Sequence, residues 1–483
     1  MEMNTFPPQN LLLSSDKVKQ IDQTGRRILE SIGIKVLSSE GSKFLNVLQK
    51  AGVEVDYENQ MIRFGQDLLD ELLGKAPSSF TLYSRDGKND LHLGAGSVYV
   101  GNGGRVFRIL DMGTGGYRLT LLRDVANAAM LVNSLDNISF YVIPCQAHDI
   151  KPVNYHLLDF YYALNYTTKH VLGGCDDLHG AQQMWDLVSI IAGGEDQFKQ
   201  RPLVSVMANP ISPLTVDQNT LEILEFCVNH GVPVMWDPAP IAGATAPATL
   251  AGTLAQMHAE ALAGIAISQV LAPGAKVAYG AVPTTMDLRN MEFSMGSVEM
   301  AMMNTAAVQL AKLYELPCYP TAGLTEAKRP DIQAGFEKSV STLMVASAGA
   351  DLIHLTAGML DSGNSISYEQ YVMDNEFIGM VHRLLAGTKV DEGTLAFDVI
   401  ESVGPRGNFI AEDHTIDHMM EEFFYPNLRV RCNFDIWEEN GRPGMLIRAH
   451  EQVQDILMKG QEGLLDPDII SEIKKNFPGS RLL

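Results

Sequence analysis

The sequence predicts an α/β fold, a (β/α)₈ barrel of the TIM type, because buried strands and helices alternate along most of the chain. From about residue 120, seven short apolar runs recur at a spacing of about 30 to 45 residues, which accommodates one strand and one helix. The runs are apolar throughout rather than alternating, which is typical of parallel strands that are buried on both faces. Seven such units suit a barrel better than an open sheet, and the eighth strand is not assigned. The runs are Ile138–Pro144, His170–Gly173, Leu203–Ala208, Val232–Trp236, Lys276–Ala281, Pro317–Thr321 and Asp351–Leu355.

Residues 1–95 predict a small helical cap or edge domain before the barrel. Apolar residues recur at helical spacing between Ser15, a candidate N-cap, and Gly33. A second helix is expected from Ser39, and a third ends before Gly74.

The barrel is assigned to residues 96–395 and begins with a glycine-rich β hairpin at 96–117. Short apolar segments alternate with glycines there, which indicates strands joined by tight turns. The run Gly101-Asn102-Gly103-Gly104 lacks both the GxGxxG order and a Walker lysine, so no phosphate site is expected.

Residues 396–483 predict a helical extension. Thr415 is a candidate N-cap of one helix, and Leu446–Met458 forms another. Asp466 followed by Pro467 is typical of a helix start, because proline fits the first helical position. This extension is expected to pack outside the barrel or to serve in homo-oligomer contacts.

The composition argues against several classes of partner. Asp and Glu outnumber Lys and Arg by 58 to 36, which gives a formal charge of −22. Such a field repels nucleic acid and anionic lipid headgroups, whereas it attracts cations. The N-terminus lacks a signal-peptide pattern, and no clean run of ~20 apolar residues exists, so a cytoplasmic protein is expected.

The five cysteines predict neither disulfides nor a metal site. No pair has CxxC spacing, and a chain of this size does not need disulfides. Cys145 and His148 have CxxH spacing, but a third and a fourth ligand are not evident. Cys318 lies within an apolar run and is interpreted as a core residue. No metal is therefore expected.

In barrel enzymes the reacting residues lie at the carboxyl ends of the strands and in the loops that follow. No serine triad, Schiff-base lysine or dinucleotide fingerprint is present, so local motifs leave the reaction open. His354 closes an apolar run, a position that favours the catalytic face. The candidates at these positions are Asn209, Trp236, Asp237, Tyr279, Glu326 and His354.

Several longer segments, spread over almost the whole chain, resemble one known family. They are Asp111-Met112-Gly113-Thr114-Gly115-Gly116, the run from Trp236-Asp237-Pro238 to Pro247, Thr321-Ala322-Gly323, Gln333 to Lys338, and Asp413-His414-Thr415. In these segments the chain resembles the trimethylamine methyltransferase family, in particular its branch without pyrrolysine.

The resemblance implies a TIM barrel that delivers a methyl group to Co(I) of a corrinoid held on a separate small protein. It also implies that relatives acting on trimethylamine carry pyrrolysine in the barrel, and the equivalent position here is expected within Tyr319–Thr325. This chain has no pyrrolysine. The branch without it includes enzymes for glycine betaine, proline betaine, carnitine and similar quaternary amines, so a quaternary amine is the expected methyl donor.

The chemistry of a quaternary amine agrees with this expectation. Its nitrogen already carries a positive charge, so loss of a methyl group releases a neutral tertiary amine and needs no proton donor. A water-poor barrel mouth favours such a step, because the charges approach neutrality as the methyl group moves. The protein then mainly orients one methyl carbon between nitrogen and cobalt.

A ligand with a trimethylammonium head and a carboxylate tail needs two kinds of neighbour. Aromatic faces bind the head, and the candidates are Tyr99, Trp236 and Tyr279. Hydrogen-bond donors must pair the tail, since a buried carboxylate without partners is costly, and the candidates are His354, Asn102 and Asn209. Asp237 and Glu326 balance the cation or hold the donors in place. His354 and Glu326 are the predicted catalytic residues.

Two other functions stay open at this point. One is the same transfer from a tertiary amine or another methyl donor, such as a methylated aromatic acid. The other is a ligand-binding barrel without catalysis. The expected partners are the small amine, the corrinoid protein and further copies of the chain, with the corrinoid carried by its own protein.

Overall fold

The computed structural model describes residues 12–38, 43–151 and 155–478. Its helices are α1 (Ser15–Ser31), α2 (Lys43–Lys50), α3 (Gln66–Leu73), α4 (Leu122–Ser134), α5 (Tyr155–Tyr166), α6 (Leu178–Ala192), α7 (Glu195–Gln200), α8 (Gln218–Asn229), α9 (Leu250–Leu271), α10 (Val298–Lys312), α11 (Ile332–Ser347), α12 (Tyr368–Leu385), α13 (Glu392–Leu395), α14 (Phe397–Val403), α15 (Asp413–Glu422), α16 (Phe434–Glu439), α17 (Met445–Lys459) and α18 (Pro467–Asn476). Its strands are β1 (Ile34–Leu37), β2 (Glu54–Asp56), β3 (Met61–Arg63), β4 (Phe80–Leu82), β5 (Leu91–Leu93), β6 (Tyr99–Asn102), β7 (Arg108–Asp111), β8 (Gly116–Leu119), β9 (Tyr141–Val142), β10 (Val171–Gly174), β11 (Val204–Ala208), β12 (Thr215–Asp217), β13 (Val234–Trp236), β14 (Ile241–Ala242), β15 (Val277–Ala281), β16 (Thr284–Asp287), β17 (Glu292–Ser294), β18 (Cys318–Pro320), β19 (Leu352–Ala357), β20 (Met359–Leu360) and β21 (Ser365–Ile366).

A curled parallel sheet forms the centre of the fold. Strands β9, β10, β11, β13, β15 and β18 pair in this order, and every pair is parallel. Strand β19 pairs in parallel with β6, and single parallel bridges, Gly101 with Phe140 and Thr321 with His354, link this pair to the two edge strands. The seven predicted strands are confirmed, and β6 is a further parallel strand that the apolar pattern leaves unassigned.

The predicted hairpin at 96–117 needs correction. The antiparallel hairpin is β7–β8, whereas β6 belongs to the parallel sheet. The glycines near β6 allow close packing rather than a turn, because a Cβ on Gly101 would overlap the Phe140 ring and one on Gly103 would overlap the Met359 side chain.

The amino-terminal segment is mixed rather than helical. The three predicted helices are present as α1, α2 and α3, and Ser39, the expected start of the second, lies outside the described residues. The segment also contains β1 to β5. Strand β1 pairs in parallel with β12, far along the chain, and such a distant partner leaves no local pattern by which to recognise the strand. The domain boundary near residue 95 stays a prediction.

The two faces of the sheet carry different residues, because successive side chains of a strand point to opposite sides. The inner face contributes Phe140, Val142, Leu172, Met235, Ala278, Tyr319 and Leu352 to one apolar cluster. The β4–β5 hairpin adds Phe80, Leu82, Leu91 and Leu93 to the same cluster. The hairpin lies at the amino-terminal end of the sheet, where Tyr83 N donates to Pro202 O, just before β11.

The carboxyl-terminal extension is helical, as predicted. The Asp466 side chain accepts a hydrogen bond at the start of α18, with Pro467 at the first position. The helices α13 to α16 contain no buried residue, and between Val381 and Ala449 only Leu428 is buried. Large apolar side chains exposed in this region are Val390, Leu395, Phe397, Ile400, Phe409, Ile410, Ile416, Met420, Phe423, Tyr425, Val430, Phe434 and Ile436. Among the residues described, no helix is both long and apolar enough to cross a membrane.

Candidate functional site

Side chains from neighbouring parallel strands meet at the carboxyl ends of β13, β18 and β19. Asp237 directly follows β13, Thr321 directly follows β18, and His354 lies within β19. His354 Nε2 shares a hydrogen bond of 2.5 Å with Thr321 Oγ1 and lies 3.7 Å from Asp237 Oδ2. The His354 ring stacks on Tyr319 with 3.9 Å between the ring centroids, and the Tyr319 hydroxyl reaches Met207 Sδ at 3.7 Å. These contacts define the Asp237–His354 site.

Burial sets the charge of both central groups, because it penalises ionised forms. Burial lowers the pKa of His354 to about 3, so the imidazole is neutral at ordinary pH. Burial also raises the pKa of Asp237 well above its usual value, and a backbone hydrogen bond from Ala281 only partly offsets this. The site of the free protein therefore contains no fixed positive charge from His354.

Two polar atoms of the site have no partner among the described residues. They are His354 Nδ1 and Asp237 Oδ1, and both are buried. Buried polar groups in native proteins are nearly always hydrogen-bonded, and leaving one unpaired costs about 1–3 kcal/mol. The two free atoms make this position a candidate for a ligand or ordered water that completes the hydrogen bonding.

The local sequence explains why these groups approach one another. A Cβ on Gly280 of β15 would lie 2.8 Å from Asp237 Oδ1, so the glycine leaves room for the carboxyl group. Thr321 N donates to Asn304 Oδ1 at 2.9 Å, and Asn304 Nδ2 donates to Met300 O at 3.0 Å. The start of the loop after β18 is thereby fixed to α10.

A buried lysine holds the loops after β18 and β19. Lys338 Nζ donates to the carbonyl oxygens of Gly323, Thr356 and Met359 and lies 3.3 Å from Asp374 Oδ2. Lys338 and Asp374 are both fully buried, and burial raises the pKa of Asp374 to about 6. One ammonium group thus joins both loops that flank the Asp237–His354 site.

The backbone beside His354 is irregular. Leu355 has a φ of 59°, in the left-handed region that residues with a Cβ seldom adopt. The register between β19 and β6 shifts between Ile353 and Ala357 at the same place. Such bulges redirect side chains, and they are over-represented beside active sites.

Of the predicted site residues, Asp237 and His354 come together, and Asn209 lies beside them. Asn209 Nδ2 donates to the carbonyl oxygen of Asp237 at 3.2 Å, while the residue itself is exposed. Asn102 is buried, and its amide joins two strands: Oδ1 accepts from Val142 N at 2.6 Å, and Nδ2 donates to Val142 O at 2.7 Å. Asn102 therefore connects β6 to β9 instead of presenting free donors.

The structure does not bring the three predicted aromatic residues to His354. Trp236 and Tyr279 are paired on neighbouring strands and face the outer helices, where Trp236 Nε1 donates to Glu260 O at 3.0 Å. The Tyr279 hydroxyl is 2.8 Å from His258 Nδ1 of α9. Their neighbours Met235 and Ala278 face inward, so strand alternation directs Trp236 and Tyr279 away from the site.

Tyr99 and Glu326 also lie apart from the central contacts. Tyr99 begins β6, at the amino-terminal end of the sheet, and its hydroxyl accepts from His92 N at 3.2 Å. Glu326 lies in the loop after β18, where it accepts a hydrogen bond from the Ser294 hydroxyl, and its backbone N donates to Glu337 Oε2 at 2.9 Å. These contacts join Glu326 to β17 and α11 rather than to His354.

Tyr319 and Thr321 are site residues that the strand-end pattern misses. Tyr319 pairs in register with Gly280, and both belong to the inward-facing set. Alternation along β15 and β18 is therefore the signal that could have identified the Tyr319 ring. Both residues lie in the segment Tyr319–Thr325, whose correspondence to the pyrrolysine position stays a prediction.

The cysteines of the sheet region are poor nucleophiles and do not form a metal cluster. Burial raises the pKa of the Cys145, Cys175 and Cys318 thiols well above the usual value and that of Cys227 to about 12. Within residues 12–38, 43–151 and 155–478, no group of three or more His, Cys, Asp or Glu side chains could hold a metal ion.

A cavity of about 1020 Å³ lies at the opposite end of the sheet. Its lining includes Ser139, Leu316 and Asp351, which precede β9, β18 and β19. In parallel sheets, ligands bind beyond the carboxyl ends of the strands. The Asp237–His354 site is therefore the candidate for chemistry, in spite of the cavity at the other end.

Comparison with known proteins gives a match over almost the whole chain. Residues 2–479 match the model of the family described as trimethylamine methyltransferase (MTTB). The chain is 35% identical over 444 residues to trimethylamine methyltransferase MttB of Desulfitobacterium hafniense (strain DSM 10664 / DCB-2), covering 92% of this chain and 88% of that protein. It is 33% identical over 476 residues to the glycine betaine methyltransferase of Desulfitobacterium hafniense (strain Y51), covering 98% and 97%.

The fold also matches a solved structure. The crystal structure of the Methanosarcina barkeri monomethylamine methyltransferase (MtmB) superposes with a TM-score of 0.54 at 12% identity and covers 93% of this chain and 90% of that one. At this identity the likeness supports the fold alone. The sequence matches carry the assignment: the chain belongs to the trimethylamine methyltransferase (MTTB) family and is a methyltransferase.

Proposed function

We propose that the chain transfers a methyl group from a small quaternary amine, such as glycine betaine, to Co(I) of a corrinoid held on a separate protein. The observation that carries this proposal is the buried Asp237–His354 site, where Nδ1 and Oδ1 lack partners. The names of the relatives, one for trimethylamine and one for glycine betaine, support a methylated amine as the donor class.

The proposal includes closure of the sheet into a (β/α)₈ barrel of eight parallel strands. The support is that β6 and β19 pair with each other and are bridged to β9 and β18 at either side. In such a barrel the carboxyl ends of all strands converge on one mouth. Asp237, Thr321 and His354 would then line that mouth, where a partner protein can approach.

On this proposal the methyl acceptor comes from outside this chain. The raised pKa values of Cys145, Cys175, Cys227 and Cys318 keep these thiols protonated, and the thiolate is the reactive form. A corrinoid in the Co(I) state would supply the nucleophile that these residues do not offer. The residues of this chain bind and orient the amine and exclude water.

The two central side chains suit a cationic donor. The neutral His354 ring, stacked on Tyr319, presents no positive charge to repel an ammonium group. Asp237 is raised in pKa by burial, and a cation close by favours its carboxylate form, because opposite charges stabilise one another at short range. Asp237 would thus release a proton as the quaternary amine binds and then balance its charge.

A panel of methyl donors tests the function. The purified protein is incubated without oxygen with cob(I)alamin and, in separate reactions, glycine betaine, proline betaine, carnitine, choline or trimethylamine. We expect loss of the Co(I) absorbance with one quaternary amine. Turnover with trimethylamine alone would select the tertiary-amine alternative. No turnover with any of these donors, even with a corrinoid protein supplied, would contradict the proposal and leave another methyl donor or the non-catalytic barrel.

A further inference from the structure

The carboxyl-terminal arm, residues 387–444, has almost no core of its own. Its helices α13 to α16 contain no buried residue, and Leu428 is the one buried side chain between residues 387 and 444. Even so, the arm is rich in large apolar residues. Val390, Phe397, Ile410, Met420 and Phe434 are each 64–80% exposed.

The arm exposes many large apolar side chains. Thirteen of them are between 43% and 80% exposed, whereas the largest apolar patch of a typical monomer covers only about 300–600 Å². A stable protein interface buries about 800 Å² on each partner. The arm therefore offers enough apolar area for one extensive and permanent interface.

Polar contacts fix the position of the arm against α12. Arg383 Nη2 lies 3.1 Å from the Glu422 carboxylate, and Arg383 Nε donates to the Glu422 carbonyl oxygen at 3.0 Å. Asn427 N donates to Glu376 Oε2 at 3.1 Å, and Arg429 is 3.4 Å from the same carboxylate. These bonds hold the arm in place and leave its apolar side chains uncovered.

The arm lies toward the amino-terminal end of the sheet. It lines the cavity there with Lys389, Thr394 and His418, opposite Ser139 and Asp351. The Asp237–His354 site is at the other end. On the proposed function, a corrinoid protein binds at that other end. It would also have to leave and return during turnover, so if it covered the arm, it would expose the apolar residues of the arm each time.

We propose that a second copy of this chain covers the arm. A second copy is present wherever the first is, at equal concentration, so the apolar side chains need never face water. The helices of the arm bury no residue within their own chain, so further apolar contacts for them would have to come from such a partner. The arm also lines the cavity beside it, through Lys389, Thr394 and His418.

Sedimentation velocity of the full chain at micromolar concentration tests this inference without any methyl donor or acceptor. We expect a mass that is at least twice 52.9 kDa and an integer multiple of it. In the double variant Ile410→Glu with Met420→Glu, we expect the dissociation constant of the oligomer to rise at least 100-fold, with an unchanged circular dichroism spectrum. The matched control is Ile332→Glu, a residue of α11 that is 86% exposed and lies outside the arm, and it should leave the mass unchanged.

Hydrogen exchange gives a second readout that does not depend on a variant. In the oligomer the amides of α14 and α15 should exchange slowly, and the double variant should remove this protection. A wild-type mass of 52.9 kDa would overturn the inference, as would an oligomer that the arm variant leaves intact. Fast exchange of both helices in the wild-type protein would also overturn it. These results are independent of methyl transfer, so they separate this inference from the proposed function.

Discussion

At the scale of single residues, Asp237 makes cation binding depend on pH. Its raised pKa means that the carboxyl group is protonated below that value, whereas a quaternary ammonium ligand binds the carboxylate. The affinity for tetramethylammonium should therefore increase as the pH rises toward the pKa of Asp237, by up to about tenfold per pH unit. Titration calorimetry across a pH series measures this. Asp237→Asn should bind at least tenfold more weakly and without the pH dependence, and a flat wild-type profile would contradict the assignment.

His354 should matter for catalysis in a way that Trp236 does not. His354→Gln removes the ring stacked on Tyr319, and we expect kcat/KM to fall by about 100-fold or more, a loss of about 2.7 kcal/mol. Trp236→Phe is the matched control, because its ring faces α9 and it loses only the bond to Glu260 O, for about 1 kcal/mol of stability. Equal losses of kcat/KM in the two variants would show that the site lies elsewhere.

The residue scale also shows what the sequence could and could not predict. Asp237 and His354 are polar residues at the ends of apolar runs, and polar groups there need a reason to be buried, so both were identifiable. Trp236 and Tyr279 occupy similar positions but face outward. In strands that are apolar on both sides, composition does not tell the inner from the outer face. Only the pairing of the strands in three dimensions shows that the ring of Tyr319, rather than that of Trp236 or Tyr279, faces the site.

At the scale of elements, the Lys338–Asp374 pair should be a large source of stability for the loops after β18 and β19. Lys338→Met leaves a buried carboxyl group without its cation, and we expect a loss of about 3–5 kcal/mol in the free energy of unfolding. Lys338→Met with Asp374→Leu should recover most of this loss, since no buried charge remains. Urea denaturation measures both. If the double variant were as unstable as the single one, the hydrogen bonds from Lys338 to the carbonyl oxygens, rather than the charge balance, would account for the lost stability.

The packing of β6 gives a second prediction at this scale. Gly101→Ala puts a Cβ into the Phe140 ring, so we expect a loss of about 1–3 kcal/mol. Gly335→Ala, in α11, meets nothing within 4 Å and should gain about 0.5–1 kcal/mol from its higher helix propensity. Thermal unfolding compares the two. If Gly101→Ala were as stable as Gly335→Ala, the close packing of β6 against Phe140 would be contradicted.

Seven of the eight parallel strands at the centre of the fold were predictable, because each is a separate apolar run followed by a helix. The exception, β6, has Gly101 and is flanked by Gly103 and Gly104, so its composition indicates a turn. Its role as a strand depends on partners that lie more than 200 residues away in β19. The β4–β5 hairpin was hidden for the same reason, since its apolar residues are completed by the inner face of distant strands.

At the scale of the whole molecule, buried histidines should weaken the fold in acid. Burial lowers the pKa of His170 to about 4 from 6.5, so between these values the unfolded chain binds a proton that the folded chain does not. This contribution to stability is present above pH 6.5 and is lost as the pH falls toward 4. Between about pH 7 and pH 5 the wild type should lose about 2 kcal/mol more than His170→Asn. The exposed His179 is the control, and His179→Asn should follow the wild type. Parallel curves for all three proteins would refute the role of His170.

The regular spacing of apolar runs and helices correctly predicted an α/β fold with a parallel sheet, but it could not show the state of the carboxyl-terminal arm. The sequence predicted that this helical extension packs outside the barrel or serves in homo-oligomer contacts, and either arrangement would cover the apolar residues of 387–444. The structure leaves them exposed instead. Whether an apolar face meets its own chain or another copy is not encoded in its periodicity.

The β4–β5 hairpin has a consequence for the order of events during turnover. Phe80, Leu82, Leu91 and Leu93 fill the inner face at the amino-terminal end, which leaves the carboxyl ends of the strands as the way to His354. On the proposed function, donor and methyl acceptor would share that single entrance. The amine would have to enter first, and the demethylated product could leave only after the acceptor protein has departed. Such a route predicts compulsory-order kinetics, in which excess acceptor protein slows turnover because it occupies the entrance before the amine binds.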